Sequence, residues 1–552
     1  VALFVDLFGY LSVVLRGATL AMEALAIGGV CFLLAVARAR APRLGESGHQ
    51  LLRRCRWGIG LASLGLAVFS LLSIGSDLAA LIEVLGLQAA DPLHARFVQA
   101  RLVQTAAALV LAGLVWLRPR AGLPTLVLPP LAILGASVAT SHAAARLQHQ
   151  AVLMAITFVH EGAACCWIGA LPYLAMALAL PLEGKERHPL GRRFHWLATV
   201  SVCTLLAGAA ALAYSYIGAL DGFYGTAYGL MVGVKIALAT ALLTLGFFNS
   251  RRVEALREDP DGPLLALRRF TEVEIGLGIT TLLATASLIS VPPAVDLRQD
   301  RLSLGELAEH MVPLSWPRLT SPDHSELAIV KLQAQLDAEA AAAGTKAAPA
   351  YVPGAGIVPP YTAEDIAWSE FNHHWAGVFV LAIGLLALVE RAFGARWARS
   401  WPLLFAALAV FLLIRSDPEA WPMGDISFWA SFREPEVAQH RVFMAIITAF
   451  AFFEWSVRTG RAKSPRAALV MPLFCALGGA ILLTHSHALG NVKWELEIEY
   501  THAPLALVGV AAGWSRWLEV RLPGTAAARR ASWIWPSAFT VVGLLLLLYR
   551  EA

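Results

Sequence analysis

Six histidines near the ends of apolar segments in the last third of the chain, His373, His374, His440, His485, His487 and His502, are the residue types best suited to chemistry. A neutral imidazole nitrogen ligates copper, zinc or iron and stays a ligand at neutral pH. Rings gathered from several helices at one depth would therefore make a transition-metal or heme site. His485 and His487 stand two residues apart, a spacing that suits a loop or helix end clamping one ion better than one helical face.

A second set lies in the first half. His94 opens an apolar segment, His142 closes the next in Thr140-Ser141-His142-Ala143, and His149 opens a third. His440, His487 in His485-Ser486-His487-Ala488, and His502 repeat that order. The opening-to-closing intervals are 48 and 47 residues. A duplicated three-helix unit, carrying the same site chemistry twice, explains the match. His149 and His160 are eleven residues apart on one segment, close to three turns and about 16 Å along one face. That spacing suits successive copper stations, or an outer and a deeper heme ligand. A bland alternative for His160 is a buried ring satisfied by a carbonyl or by the adjacent Glu161, yet polar groups within hydrocarbon are costly and tend to be functional.

Sulfur is sparse by comparison. Eight methionines, with no Met-x-x-Met cluster, match a soft-sulfur channel poorly. Cys165 and Cys166 sit about one turn beyond His160 but point about 100° apart on a helix. The six cysteines imply no disulfide framework, and no C-x-x-C-H site for covalent heme is present.

The elements that position these groups must be membrane helices. Hydrophobic residues make up 58% of 552 and charged residues 15%, with a mean hydropathy of +0.63, which excludes a water-soluble globule. A span needs about 20 apolar residues, and fourteen such segments can be counted, near 8–37, 57–86, 97–117, 123–141, 149–180, 195–217, 226–248, 270–291, 374–391, 401–415, 440–457, 467–486, 502–516 and 533–549. The fold class expected is an all-α polytopic transmembrane bundle of about 14 helices. The first segment is too long and poorly flanked for a cleaved signal peptide. Every second loop is basic, from Arg38, Arg40 and Arg43 through Arg251 and Arg252 to Arg529 and Arg530. By the positive-inside rule this puts both termini, and the segment between helices 8 and 9, on the periplasmic side of a bacterial inner membrane. Three regions follow: 1–291 with eight helices, an extracytoplasmic linker at 292–370, and a six-helix histidine-rich region at 371–552. Within the linker, 325–342 reads as a surface helix, 344–360 as extended chain, and His310, Met311 and His324 as solvated residues or, alternatively, mobile metal collectors. Charges inside spans, Arg16, Glu23, Asp77, Arg101, Lys235 and Glu454, are expected mostly to pair across helices.

Residues 192–296 resemble the copper resistance D (CopD) family. The resemblance rests on Arg193-Phe194 opening a helix, Tyr228-Gly229 followed by Lys235, Asn249 to Arg251, and Glu274 entering a helix that stops at Pro292-Pro293. Upstream, His160 with Trp167-Ile168-Gly169-Ala170-Leu171 is similar to the family's His and Trp-hydrophobic-Gly-Gly-Leu string, with Ala170 in place of the second glycine. The resemblance implies copper handling at the bacterial inner membrane, and a distant similarity to di-heme cytochrome b proteins.

Two functions from different classes survive. In the first, the chain is a non-enzyme that accepts, stores or transports copper ions through outer-face sites drawn from His94, His142, His149, His160, His373, His374, His440, His485, His487 and His502. Its partners are copper ions, a periplasmic copper-binding protein and the lipid bilayer. In the second, histidines such as His149 and His160 hold heme b, and electrons pass between a quinol and an extracytoplasmic partner. That reading lacks a second clearly deep histidine. A third class makes the chain an accessory subunit of a larger respiratory or oxygenase complex. No nucleic-acid signature and no P-loop are present.

Overall fold

The computed structural model describes residues 2–85, 94–311, 316–352, 362–484 and 492–551. They are helical, with no strand among them beyond an isolated bridge between Ala420 and Ile426. The chain is an all-α polytopic membrane bundle. In chain order the main helices are α1 (Ala2–Phe32), α2 (Gly45–Leu85), α3 (Arg96–Leu117), α4 (Leu123–Val138), α5 (Gln150–Ile168), α6 (Leu171–Leu178), α7 (Gly184–Tyr216), α8 (Ala227–Ala255) and α9 (Leu265–Ser290). There follow α10 (Leu304–Met311), α11 (Ala328–Ala343), α12 (Ala363–Phe393), α13 (Leu403–Arg415), α14 (Pro435–Arg458), α15 (Val470–Leu482), α16 (Val492–Arg521) and α17 (Ala526–Leu547).

Among the described residues each of the fourteen expected segments overlaps helix, with 86, 485 and 486 outside them. Among the described residues eleven spans are long and apolar enough to cross a membrane, while Leu123–Val138 and Ala467–Leu482 are shorter apolar helices. Two segments differ from expectation. The stretch 149–180 is not one regular helix: it breaks between α5 and α6, where Gly169 is pressed against the Ala24 carbonyl of α1 and Pro172 has no N–H to continue the ladder. The stretch 502–516 is the second half of a helix that starts at Val492, because Glu495, Glu497 and Glu499 interrupt the apolar pattern without interrupting helix propensity.

Two compact units divide the chain. One gathers around Gly9–Arg301, the other around Leu302–Leu482 and Lys493–Ala552. In the first, α1 continues through a π-turn at Leu33–Ala37, and α7, α8 and α9 pack with α5 and α6. The expected pairing of charges holds for Arg101 and Asp77, 3.3 Å apart, and Glu454 pairs with Arg458 of its own helix at 2.8 Å.

In the second unit α12 lies along α17 at glycine contacts: a Cβ on Gly384 would fall 2.4 Å from the Thr540 nitrogen, and one on Gly543 2.3 Å from the Leu381 nitrogen. Small residues at a helix interface are how membrane helices gain van der Waals contact, since lipid gives little hydrophobic drive. Trp401, Phe450, Met471 and Trp535 fill the core of this unit. A Thr362–Asp365 capping box starts α12 and so fixes where its histidines fall.

Candidate metal centre

In the second unit, two helices, α12 and α16, bring histidines against Tyr549. His373 lies nearly three turns into α12 and stacks on the Tyr549 ring, with centroids 3.8 Å apart and planes at 14°. His502 of α16 meets the same ring edge-on at 6.4 Å. His440 of α14, His374 and His502 are all near enough to bear electrostatically on His373.

The hydrogen bonds of these rings decide which nitrogen carries the lone pair. His373 Nδ1 is 2.9 Å from the Ser369 carbonyl, and His502 Nδ1 is 2.8 Å from the Ile498 carbonyl. A carbonyl only accepts, so each Nδ1 donates and the neutral ring carries its lone pair on Nε2. His440 Nδ1 is 2.7 Å from Asp417 Oδ1. Asp417 is buried, 6% exposed, and its second oxygen accepts from the Ser416 hydroxyl. A carboxylate behind a histidine fixes the tautomer and raises the ring's basicity, as the outer partners of metal-bound histidines do.

His374 is different. Its Nδ1 accepts from the Arg318 N–H at 2.7 Å and its Nε2 donates to the Tyr549 carbonyl at 3.0 Å. Both ring nitrogens are committed, so His374 ties α12 to the chain end rather than presenting a lone pair. Beside it Glu370 is held by Arg318 at 3.4 Å and Arg550 at 3.6 Å. His485 and His487 lie outside the described residues. His324 is not the solvated loop residue that was expected: its Nε2 is 2.9 Å from the Pro418 carbonyl and its ring is 5.9 Å from Trp368.

The first unit scatters its histidines. His94 is exposed ahead of α3. His149 is exposed too and caps the start of α5 in the left-handed region, at φ 56°. His142 is half-buried, edge-on to Tyr216 at 6.5 Å, with its Nε2 buried and unpaired. Burial, with Arg16 and Arg146 nearby, pushes the His142 imidazolium to a lower pKa than usual. His160 faces α7, its Nδ1 3.0 Å from the Leu205 carbonyl, with Lys235 acting electrostatically on both it and Glu161. The bland reading of His160, a ring satisfied by a carbonyl, is thus met at one nitrogen, and the partner is Leu205 rather than Glu161.

Among the described residues no three His, Cys, Asp or Glu side chains stand in metal-holding geometry. His373, His440 and His502 are neighbours rather than an assembled coordination sphere. Asp417 and Tyr549 were missed in the sequence. The only signal was position: Asp417 follows a short apolar segment, and Tyr549 ends the last one.

The motif residues of the first unit are ordered by packing. Arg193 donates to the Ala35 carbonyl at 3.1 Å, Asn249 donates to Glu274 at 2.8 Å, and the Tyr228 ring lies 6.2 Å from Tyr216. Residues 189–288, which span α8, most of α7 and nearly all of α9, match the family model described as Copper resistance protein D. No curated protein and no solved structure matches the chain significantly.

Proposed function

We propose that this membrane protein, whose residues 189–288 form a copper resistance D segment, binds copper through imidazoles of its C-terminal unit and stores or passes it on. It acts as a carrier rather than an enzyme. The observation that carries this reading is the shared tautomer of His373, His440 and His502: three helices, each with Nδ1 given to an oxygen, so that Nε2 holds the lone pair in all three. Imidazole nitrogen suits copper. Tyr549 is the wall against which His373 and His502 pack. His485 and His487, in the sequence between α15 and α16, supply two further imidazoles, and His94, His142, His149 and His160 serve as stations in the first unit. The copper arrives from the periplasmic side of the inner membrane, delivered by a soluble copper-binding partner.

The test is copper and iron per chain on protein purified without chelators or a metal column. Copper near one or more per chain, reduced in the His373→Ala/His440→Ala/His502→Ala variant, is the expected result. Copper content unchanged by that triple substitution overturns the assignment, and stoichiometric iron would turn the protein into a heme-bearing electron carrier.

A further inference from the structure

Helices α1 and α5 meet at their backbones, and the meeting point aligns two thiols. A Cβ on Gly28 would lie 2.3 Å from the Gly169 carbonyl carbon, and one on Gly169 would lie 1.8 Å from the Ala24 carbonyl oxygen. No side chain fits at either position, so glycine at both is what lets the chains touch. Cys31 stands three residues beyond Gly28 and Cys166 three before Gly169. Each is therefore about one turn from the contact. Their sulfurs are 2.9 Å apart, although 135 residues separate them in sequence.

Both cysteines are free, and the separation lies well outside a disulfide bond of about 2.05 Å. Two residues after Cys31 the helix loosens into the π-turn Leu33–Ala37, an irregularity that is frequent at functional sites. Cys165 is buried beside the pair but points about 100° away around α5. Among the described residues no third His, Cys, Asp or Glu completes a larger metal-holding group.

We propose that Cys31 and Cys166 form a two-thiolate site for a soft monovalent ion, Cu(I). The identity of the ion rests on the copper reading above; the preference for a soft ion rests on the sulfurs alone. Thiolates select Cu(I) over hard cations, and a site of two ligands disfavours zinc, which takes four. Binding exchanges two thiol protons for one ion with no change in oxidation state, leaving one net negative charge. One turn past Cys31, Arg193 donates to the Ala35 carbonyl. With metal–sulfur bonds of about 2.3 Å, a linear ion needs the sulfurs about 4.6 Å apart, so they part on loading, within reach of side-chain rotation. The pair lies at the glycine contact between α1 and α5, whereas His160 faces α7, and so it makes a separate station.

The test uses the full chain, reduced and metal-free in detergent, with Cu(I) supplied from a chromogenic Cu(I) chelator. Wild type is expected to hold one more Cu(I) than Cys31→Ser or Cys166→Ser, whereas Cys165→Ser matches wild type. X-ray absorption should show sulfur around copper in wild type only, and bound Cu(I) should protect the pair from maleimide. Absence of both sulfur scattering and protection in wild type overturns the proposal without recourse to any variant, as does a pair isolated as a disulfide that binds no Cu(I) after reduction. Ag(I), a soft surrogate, separates the two readings. Ag(I) held by the thiols in a protein whose histidines bind no copper would leave this site standing and remove the copper function.

Discussion

His440 Nδ1 lies 2.7 Å from Oδ1 of Asp417, a carboxylate that is 4% exposed in its side chain while the histidine is 40% exposed. The buried partner is held and the open partner is aimed. Asp417 sits just past the end of α13 and His440 early in α14, so the bond also fixes how those two helices meet.

If Asp417 orients a metal-binding ring, Asp417→Asn should weaken copper binding about tenfold, because outer-partner loss costs that order of affinity. Asn still accepts from Nδ1 but carries no charge, so the thermal midpoint should move little. Competition titration with a copper chelator reads the affinity, and an unchanged value would remove Asp417 from the site.

Tyr549 is 5% exposed and stacks on His373. Removing the ring in Tyr549→Ala should cost about 3 kcal/mol, as for other buried aromatic truncations, and should reduce copper binding with it. Tyr549→Phe keeps both ring contacts and should retain copper. Equal copper loss in the two variants would place the effect in the hydroxyl, contrary to the stacking argument.

Lys493 Nζ is 2.6 Å from Glu306 Oε1, and the Ser303 N–H donates to the other oxygen at 2.8 Å. The Lys493 ammonium first, then Ser303, holds the Glu306 carboxyl down at about 2, below its ordinary value of 4.5. A carboxyl with a lowered native pKa contributes stability above its unfolded value and loses it as pH falls. The tether between α10 and α16 should therefore be complete above pH 4.5 and released as pH falls through about 2. Hydrogen exchange over Leu304–Met311, corrected for intrinsic rates, follows this, and Glu306→Gln should release the tether at neutral pH. A transition centred near 4.5 would show that the pair makes no contribution.

The helix contact at Gly169 gives a steric prediction. Gly169→Ala pushes a methyl into the Ala24 carbonyl and should destabilise the first unit by about 1–3 kcal/mol, the usual cost of overpacking. Gly135→Ala in α4 meets nothing within 4 Å and should be neutral or stabilising by up to about 1 kcal/mol. Thermal unfolding of the two variants side by side tests the contrast.

Helix existence was legible because each span repeats the same physical demand, about 20 apolar residues with internally satisfied backbone. The surface helix expected over 325–342 appears as α11, closed by Gly344 in the left-handed region. The side-chain partners were less legible. Adjacency drew attention to Cys165 and Cys166, yet Cys166 meets Cys31 of another helix, a contact set by two glycines that apolar periodicity does not reveal. His373 and His374 look equivalent in sequence, but neighbours on a helix point about 100° apart, and only the fold shows that His374 has both nitrogens engaged.

Pulsed electron paramagnetic resonance on protein loaded with one equivalent of Cu(II) tests the central claim most directly, since it counts imidazoles and reports the remote ring nitrogen of each. The account predicts coordination by His373, His440 and His502 through Nε2, with a protonated, hydrogen-bonded Nδ1 as the remote nitrogen, and a spectrum that loses imidazole couplings as each histidine is replaced by alanine. A spectrum without imidazole couplings, or one left unchanged by all three substitutions, would contradict it.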